Sequence, residues 1–475
     1  MKLSKITEPF IFTVFGASGD LAKLKIFPAL YEFALQKRFP ENFWIYGYAR
    51  SEKTQEEFHT VFKESVKAKF GENTNQEVLS ELLTRVKYFQ GQYNNPNDYE
   101  KFLHELKEKT TQTKKPHFIA YYSVPPSVFN DISIQLSPFK DVFETRLVIE
   151  KPFGGDEKTA REMFAILEEH FDEEHVYLLD HYLGKESVQS ILSMRYANSI
   201  INHLLKGQLI KYIQITAFEP FGIKERGRYF DQVGTIKDMV QSHLLQLLAL
   251  VTMSMPNQLN SKSVHREKYH ILSALTFNKD CFLKKGQYES YQSEKDIPEG
   301  SQTETFAALR LFIDQAEWDD VPIYLRTGKA VDRKSTYITI VFKKLRFQES
   351  IEGLKHNKLI IELQPDGNVY FKITNKRGGT YEEYHQVAPG ESLACFGDDC
   401  LPEHARLLMD VMNGERIHFL SFNEVIACWN FVDKVLAQTE EQKIALEIYK
   451  DGSEGPDGQH ELLEESEPGR VWHEI

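Results

Sequence analysis

The chain has 475 residues, too many for one ordinary core, so two or more domains are favoured and two are expected. With 41% hydrophobic and 12% aromatic residues its composition is globular, and no run of about eighteen apolar residues is present to span a bilayer. A net charge of −13 excludes an ordinary nucleic-acid binder, and any phosphorylated ligand then needs positive charge concentrated locally, beside glycine turns or histidines.

The start, Met1 to Pro9, carries charges without an apolar core, and the apolar run after it is cut by Gly16, Gly19 and Asp20. No signal peptide is legible there, and a cytoplasmic protein is expected. The next segment reads strand, glycine turn, helix, strand: Phe10 to Phe15 is β-rich, Leu21 to Gln36 amphipathic and Phe43 to Tyr48 β-rich again. Further short apolar runs at Phe118 to Val124, Arg146 to Glu150 and His175 to Leu179 alternate with helical stretches such as Asn97 to Lys109. This pattern predicts a parallel sheet in a dinucleotide-binding domain over 1–180.

Beyond it the grammar changes. Strand-like pieces at Tyr212 to Phe218, Tyr337 to Phe342, Lys358 to Leu363 and Asn368 to Thr374 are joined by turns, which predicts an antiparallel sheet in an α+β domain over 181–475. A long apolar helix is expected over Thr235 to Met253, with later helices over Pro402 to Met412 and Phe422 to Leu436. The tail after Gln438 is acidic and glycine-rich around Asp451 to Gly458, and loose packing or a lid is expected. Cys281, Cys395, Cys400 and Cys428 form no C-x-x-C pair and have no histidines at zinc spacing, so free thiols and no metal site are expected.

Several short motifs carry chemistry. Gly16-Ala17-Ser18-Gly19-Asp20-Leu21-Ala22 follows the first strand and opens a helix, where small residues let backbone N–H groups approach a pyrophosphate. Its spacing is G-x-x-G-x-x-A, so an ordinary glycine turn is the alternative. After the second strand the chain has Arg50 where an NAD site usually carries an acid; an arginine there suits the 2′-phosphate of NADP, or is simply a surface charge. Lys151-Pro152-Phe153-Gly154 is a bend that would aim Lys151 into a cleft.

Asp180-His181-Tyr182-Leu183-Gly184-Lys185-Glu186 is the densest cluster. If a helix begins there, His181 and Lys185 share a face and both can donate to a phosphate, while Asp180 suits a cap and a catalytic role equally well. On the helix from Thr235, His243 alone reads as a hydrogen-bonded core histidine. It stands roughly 140° from Asp238 on an ideal α-helix, so the two do not form a direct dyad. Tyr324-Leu325-Arg326-Thr327-Gly328-Lys329 places two cations around a glycine turn, as an anion site would, with surface charge as the alternative.

Taken together and in order, these motifs resemble the glucose-6-phosphate dehydrogenase family. The resemblance also runs through Glu219-Pro220-Phe221-Gly222, Arg226-Gly227, Tyr229-Phe230-Asp231, His243-Leu244-Leu245-Gln246 and Gly452-Ser453-Glu454-Gly455-Pro456. It implies a Rossmann-type N-terminal domain and a larger C-terminal α+β domain with an antiparallel sheet, in a homodimer or homotetramer. The activity it implies is NADP-dependent oxidation of glucose 6-phosphate to the 6-phosphoglucono-lactone, the first step of the oxidative pentose phosphate pathway.

By the same resemblance His243 is the base and Asp180 the carboxylate that orients it. His181, Tyr182 and Lys185 match phosphate ligands. Glu219 and Asp238 match residues on the sugar hydroxyls, and Lys25, Lys151, Lys329 and Gln364 match further substrate contacts. Gly16, Ser18, Gly19, Asp20, Leu21, Arg50 and Lys151 fall on the cofactor side. The chain departs from the family at Glu362 and Leu178, where arginines are frequent, and at Glu454, where tryptophan is; Glu362 counts against the second, structural NADP site of the animal enzymes. Two rivals remain: a related hexose-6-phosphate dehydrogenase with dual NAD and NADP use, and a non-catalytic ligand-binding homologue.

Overall fold

The computed structural model describes residues 5–110, 115–351, 354–378, 384–393, 395, 400–464 and 469–473. It divides into two compact units. The first takes Met1–Gly154, Lys158–Lys185 and Phe396–Phe422; the second takes Gly155–Glu157, Glu186–Cys395 and Asn423–Ile475. The expected division at 180/181 therefore differs from that of the structure in one main respect: a late segment returns to the first unit.

The first unit is built on six strands, β1 (Phe10–Phe15), β2 (Phe43–Ala49), β3 (Val86–Gln90), β4 (His117–Tyr122), β5 (Glu144–Glu150) and β6 (Val176–Leu179). Their order is β3-β2-β1-β4-β5-β6 and every pairing is parallel, the doubly wound Rossmann arrangement. Phe12, Val14, Ile45, Ile119, Tyr121 and Val148 lie fully buried, as expected of strands covered on both faces. The strand order reverses between β1 and β4, which opens a crevice at their carboxyl ends.

The returning helix Glu403–Asn413 buries Ala405, Leu407, Leu408, Val411 and Met412 in this unit's core. Gly414, left-handed at φ 79°, ends it, and the buried Arg146 of β5 donates to the carbonyls of Val411 and Met412 at 2.7 and 3.0 Å. Leu420 then bridges Leu178 on the edge of β6. Apolar periodicity alone announces this helix but not the unit it joins.

The second unit carries an eleven-stranded sheet among the described residues. Its strands are β7 (Ile210–Phe218), β8 (Leu275–Thr276), β9 (Leu283–Tyr288), β10 (Phe306–Ile313), β11 (Ile323–Gly328), β12 (Ser335–Phe342), β13 (Lys358–Gln364), β14 (Asn368–Lys376), β15 (Tyr384–Val387), β16 (Gly390–Ser392) and β17 (Leu446–Tyr449). The main path is β15-β14-β13-β12-β7-β11-β10-β9-β17. Pairing is antiparallel except for β7 with β11 and β9 with β17. The sheet is thus mixed and mostly antiparallel. It includes β9 and β10, whose Lys284-Lys285-Gly286 and Arg310 interrupt the apolar pattern a strand usually shows.

Beside the sheet, the expected long helix is two pieces: a π-helix over Ile236–Leu244 continued by an α-helix over Leu245–Thr252. It is anchored by a buried ion pair, Lys268 to Glu424 at 2.7 Å, with the same ammonium donating to Gln246 at 3.1 Å. Loss of either charge would leave the other uncompensated, a penalty of about 3–5 kcal/mol.

Two expectations are corrected here. The tail is not loose: Gly452 N–H donates to Ala330 O at 2.7 Å, Ser453 bridges Val331, and Gln459 and Trp472 are buried. What holds it is Arg326, fully buried, donating to Glu454 at 2.6 Å and Gln459 at 2.9 Å with its guanidinium 4.4 Å from the Trp472 ring centre. Nor are all thiols free. Cys281 and Cys428 are, but Cys395 and Cys400 are disulfide-bonded, a pairing outside the C-x-x-C spacing.

Candidate active site

In the first unit the candidate residues sit just past the carboxyl ends of successive strands: Gly16 after β1, Arg50 after β2, Lys151 after β5, Asp180 after β6. Gly16 is left-handed at φ 85°, and its N–H donates to Tyr48 O at 2.8 Å. A Cβ there would lie 2.1 Å from Ser123 O, so only glycine lets the turn close against the β4 end. Gly19 N–H closes the turn on Gly16 O at 2.9 Å, leaving Ser18 and Leu21 half-buried and Asp20 exposed.

The helix that follows starts as a π-turn, Ala22–Ile26, before the α-helix Phe27–Leu35. Lys25 is exposed in that turn. A cleft of ≈ 320 Å³ is lined by Gly19, Asp20, Leu21, Ser123, Glu150 and Lys151, among others. A glycine turn that a Cβ would fill, beside a cleft at the switch point with a half-buried lysine, fits a dinucleotide phosphate group. Arg50 is exposed, its guanidinium 5.3 Å from the Tyr93 ring centre, and offers charge at the end of β2.

Beneath the Lys25 side lies a buried group. Tyr121 donates to Glu150 and stands 3.2 Å from His404 Nε2. Burial raises the Glu150 pKa, against the pull of the Tyr121 hydrogen bond and Lys25, while burial and the nearby lysines hold His404 down to about 4. Nothing in the sequence marks His404, because it arrives on the returning helix from far along the chain.

Asp180 is fully buried and caps the 3₁₀-helix His181–Gly184: its Oδ1 accepts from Tyr182 N–H at 2.9 Å. The helix ends at Gly184, and Lys185 is extended, so His181 and Lys185 do not share an α-helical face. They flank Tyr182 instead. The Lys185 ammonium stands 3.4 Å from the Tyr182 ring centre and the His181 ring 5.1 Å from it. This tight turn packs on the returning helix, where a Cβ at Gly184 would meet Glu403 O at 2.4 Å.

In the second unit one end of the sheet gathers the candidates. Phe218 on β7 pairs with Gly328 on β11 and with Ser335 on β12, and Thr336 pairs with Gln364 on β13, so Glu219, Lys329 and Gln364 emerge at the same edge. Lys329 Nζ donates to the Glu219 carboxylate and stands 3.7 Å from Asp238. Gln364 Oε1 accepts from Thr336 Oγ1 at 3.3 Å. Arg326 is not part of this group; it points into the tail packing described above.

Asp238 and His243 lie on the π-helix, and His243 is buried, 3% exposed. Hydrogen bonds from i to i+5 wind such a helix with more than four residues per turn. Residues five apart therefore come nearer to one face than the α-helical 140° allows, and Asp238 and His243 are five apart. Among residues the sequence does not single out, Glu304 and Thr305 stand at the same edge just before β10: Ile236 N–H donates to Glu304 Oε1 at 3.0 Å and Lys329 N–H to Thr305 O at 3.0 Å.

A family model described as glucose-6-phosphate dehydrogenase, NAD binding domain, matches residues 13–190, and one described as the C-terminal domain matches 192–473. The chain belongs to the glucose-6-phosphate dehydrogenase family. It is accordingly an oxidoreductase whose first unit takes a nicotinamide dinucleotide. Among relatives of the family, glucose-6-phosphate 1-dehydrogenase 3, chloroplastic, of Arabidopsis thaliana is 36% identical over 470 residues, 95% of this chain and 78% of that protein. Glucose-6-phosphate 1-dehydrogenase of Schizosaccharomyces pombe is 35% identical over 472 residues, 96% of this chain and 94% of that protein. A solved glucose-6-phosphate dehydrogenase in complex with its substrate glucose-6-phosphate superposes with a TM-score of 0.90 at 30% identity, covering 100% of both chains. No helix among the described residues is long and apolar enough to cross a membrane.

Proposed function

We propose that the protein oxidises glucose 6-phosphate at its anomeric carbon to the 6-phosphoglucono-lactone, with NADP as acceptor. The observation that carries this is the acid–lysine–acid cluster of Glu219, Lys329 and Asp238 at one sheet edge, on a chain matched to the family along both units. Such a cluster offers both donors and acceptors to vicinal sugar hydroxyls.

His243 takes the proton of the anomeric hydroxyl, with Asp180 as the carboxylate that fixes the imidazole tautomer and stabilises the imidazolium as it forms. The support is their match to the family's base and its partner, together with the burial of both side chains, which makes an ionised partner valuable. A bound nicotinamide supplies the hydride acceptor. His181, Tyr182 and Lys185 take the 6-phosphate: the ring of Tyr182 holds the Lys185 ammonium in place, so less side-chain freedom is lost on binding. Gln364, Lys25 and Lys151 complete the substrate contacts. Gly16, Ser18, Gly19, Asp20, Leu21 and Lys151 border the cofactor, and Arg50, which directly follows the second strand where an NAD site usually carries an acid, meets its 2′-phosphate.

Homo-oligomerisation and a cytoplasmic site complete the proposal; relatives of the family include chloroplastic forms. The test is direct. Purified protein is given glucose 6-phosphate, glucose and a second hexose 6-phosphate, each with NADP or NAD, and reduced nicotinamide is followed by absorbance. Reduction of NADP with glucose 6-phosphate at the highest kcat/KM is expected; equal rates with another substrate, or none, would overturn the assignment.

A further inference from the structure

The π-helix that carries Asp238 and His243 begins in an unusual way. Its N-cap, Thr235, makes no side-chain cap hydrogen bond. The residue before, Gly234, is left-handed at φ 69°, and a Cβ there would lie 2.4 Å from Glu304 Oε1. That close approach brings the Glu304 carboxylate over the helix start, where Ile236 N–H donates to Oε1 at 3.0 Å and Thr235 N–H donates to the Glu304 carbonyl at 3.0 Å. A carboxylate from another element thus does what the N-cap side chain does not, and its charge suits the positive end of the helix.

The next residue reaches the other side of the sugar cluster. Thr305 accepts Lys329 N–H at 3.0 Å through its carbonyl, and its hydroxyl pairs with the Tyr449 hydroxyl at 2.9 Å. Tyr449 in turn donates to the Lys329 carbonyl at 2.7 Å. Register explains the arrangement, since Phe306 on β10 faces Gly328 on β11, which puts Thr305 beside Lys329. Two consecutive residues therefore grip two elements: Glu304 the helix of Asp238, Thr305 the strand end of Lys329.

We infer that Glu304 is a positioning residue for the sugar site, fixing the start of the π-helix so that Asp238 stands against Lys329. This rests on the functional reading above, in which Asp238 and Lys329 contact the sugar hydroxyls. Glu304 touches neither of them itself. Burial raises its pKa, against the pull of the Ile236 N–H, its own backbone N–H, Lys285 and Lys237, as expected of a carboxylate kept by hydrogen bonds rather than by solvent.

The experiment compares wild type, Glu304→Ala and Glu304→Gln for kcat, KM toward glucose 6-phosphate, KM toward NADP and melting temperature. Glu304→Ala is expected to raise KM for glucose 6-phosphate about tenfold, the value of one charge-assisted hydrogen bond, and to leave KM for NADP within about twofold. Glu304→Gln, whose amide oxygen still accepts from Ile236 N–H, is expected to restore most of that loss. If Glu304→Ala does not fold, Glu304→Asp takes its place with the same expectation, because it withdraws the oxygen by one methylene.

An active wild type whose variants keep a normal KM for glucose 6-phosphate while only the melting temperature falls would overturn the inference alone. So would a Gln variant as impaired as the Ala variant. A wild type inert toward glucose 6-phosphate would overturn the functional reading, and the inference with it.

Discussion

The Lys329 ammonium stands 3.7 Å from the Asp238 carboxylate while it donates to Glu219 on its other side. Lys329 is 9% exposed at the side chain, Asp238 15% and Glu219 29%, so the pairings are largely shielded from solvent. A strand end, a second strand end and a π-helix each contribute one charge. The cluster is net negative by one, which suits a neutral polyhydroxyl segment rather than a phosphate.

Asp238→Asn should therefore damage the sugar side alone. Steady-state kinetics is expected to show kcat/KM for glucose 6-phosphate lowered by about tenfold or more, the range of one charged hydrogen bond, with KM for NADP unchanged. Equal damage to both substrates would place Asp238 outside the sugar site.

Arg50 is exposed just past the carboxyl end of β2, its guanidinium over the Tyr93 ring. Arg50→Ala is expected to raise KM for NADP by about tenfold or more through a lost charge-assisted contact, with NAD kinetics unchanged. Paired measurements with the two cofactors decide it, and equal losses would remove Arg50 from the 2′-phosphate.

How much of this was legible in the sequence follows from particular residues. Gly16, Arg50, Lys151 and Asp180 each follow a short apolar run, and a parallel sheet presents such positions at its carboxyl edge, so local pattern suffices to find them. Asp180 serves as a cap, the role a residue of that type at that place suggests. Arg326 and Lys329 looked like one anion site because they are close in sequence. The two-residue period of a strand, however, sends positions 326 and 329 to opposite faces, one to the tail and one to the acids. The π-helix left no mark, since no local apolar period distinguishes i to i+5 from i to i+4 bonding, and the contact at its start, Ile236 N–H to Glu304, comes from another element. His404 and the whole returning segment are long-range features that no local period carries.

Acid sensitivity follows from His404. Its folded pKa is about 4 against an ordinary 6.5, so between these values the unfolded chain holds a proton that the folded chain does not. Stability then falls as pH drops through that window, by up to about 3 kcal/mol, and this group adds no further loss below it. Glu150, raised by burial, takes up its proton earlier in the folded chain and offsets part of the loss. His473, held down to about 3 by burial and nearby cations, acts in the same direction as His404. Melting temperature should accordingly decline from pH 7 to pH 5, and His404→Gln should make that decline shallower. An unchanged slope in the variant would show that His404 titrates normally.

The central claim is that His243, a buried histidine on a π-helix, is the general base. Its most direct test is the turnover number of His243→Asn, a change that keeps polarity and approximate size but leaves no group able to take a proton at neutral pH. With melting temperature and NADP affinity preserved, kcat for glucose 6-phosphate is expected to fall by roughly two to four orders of magnitude. A folded His243→Asn protein with near-normal turnover would contradict the assignment and return His243 to a structural role.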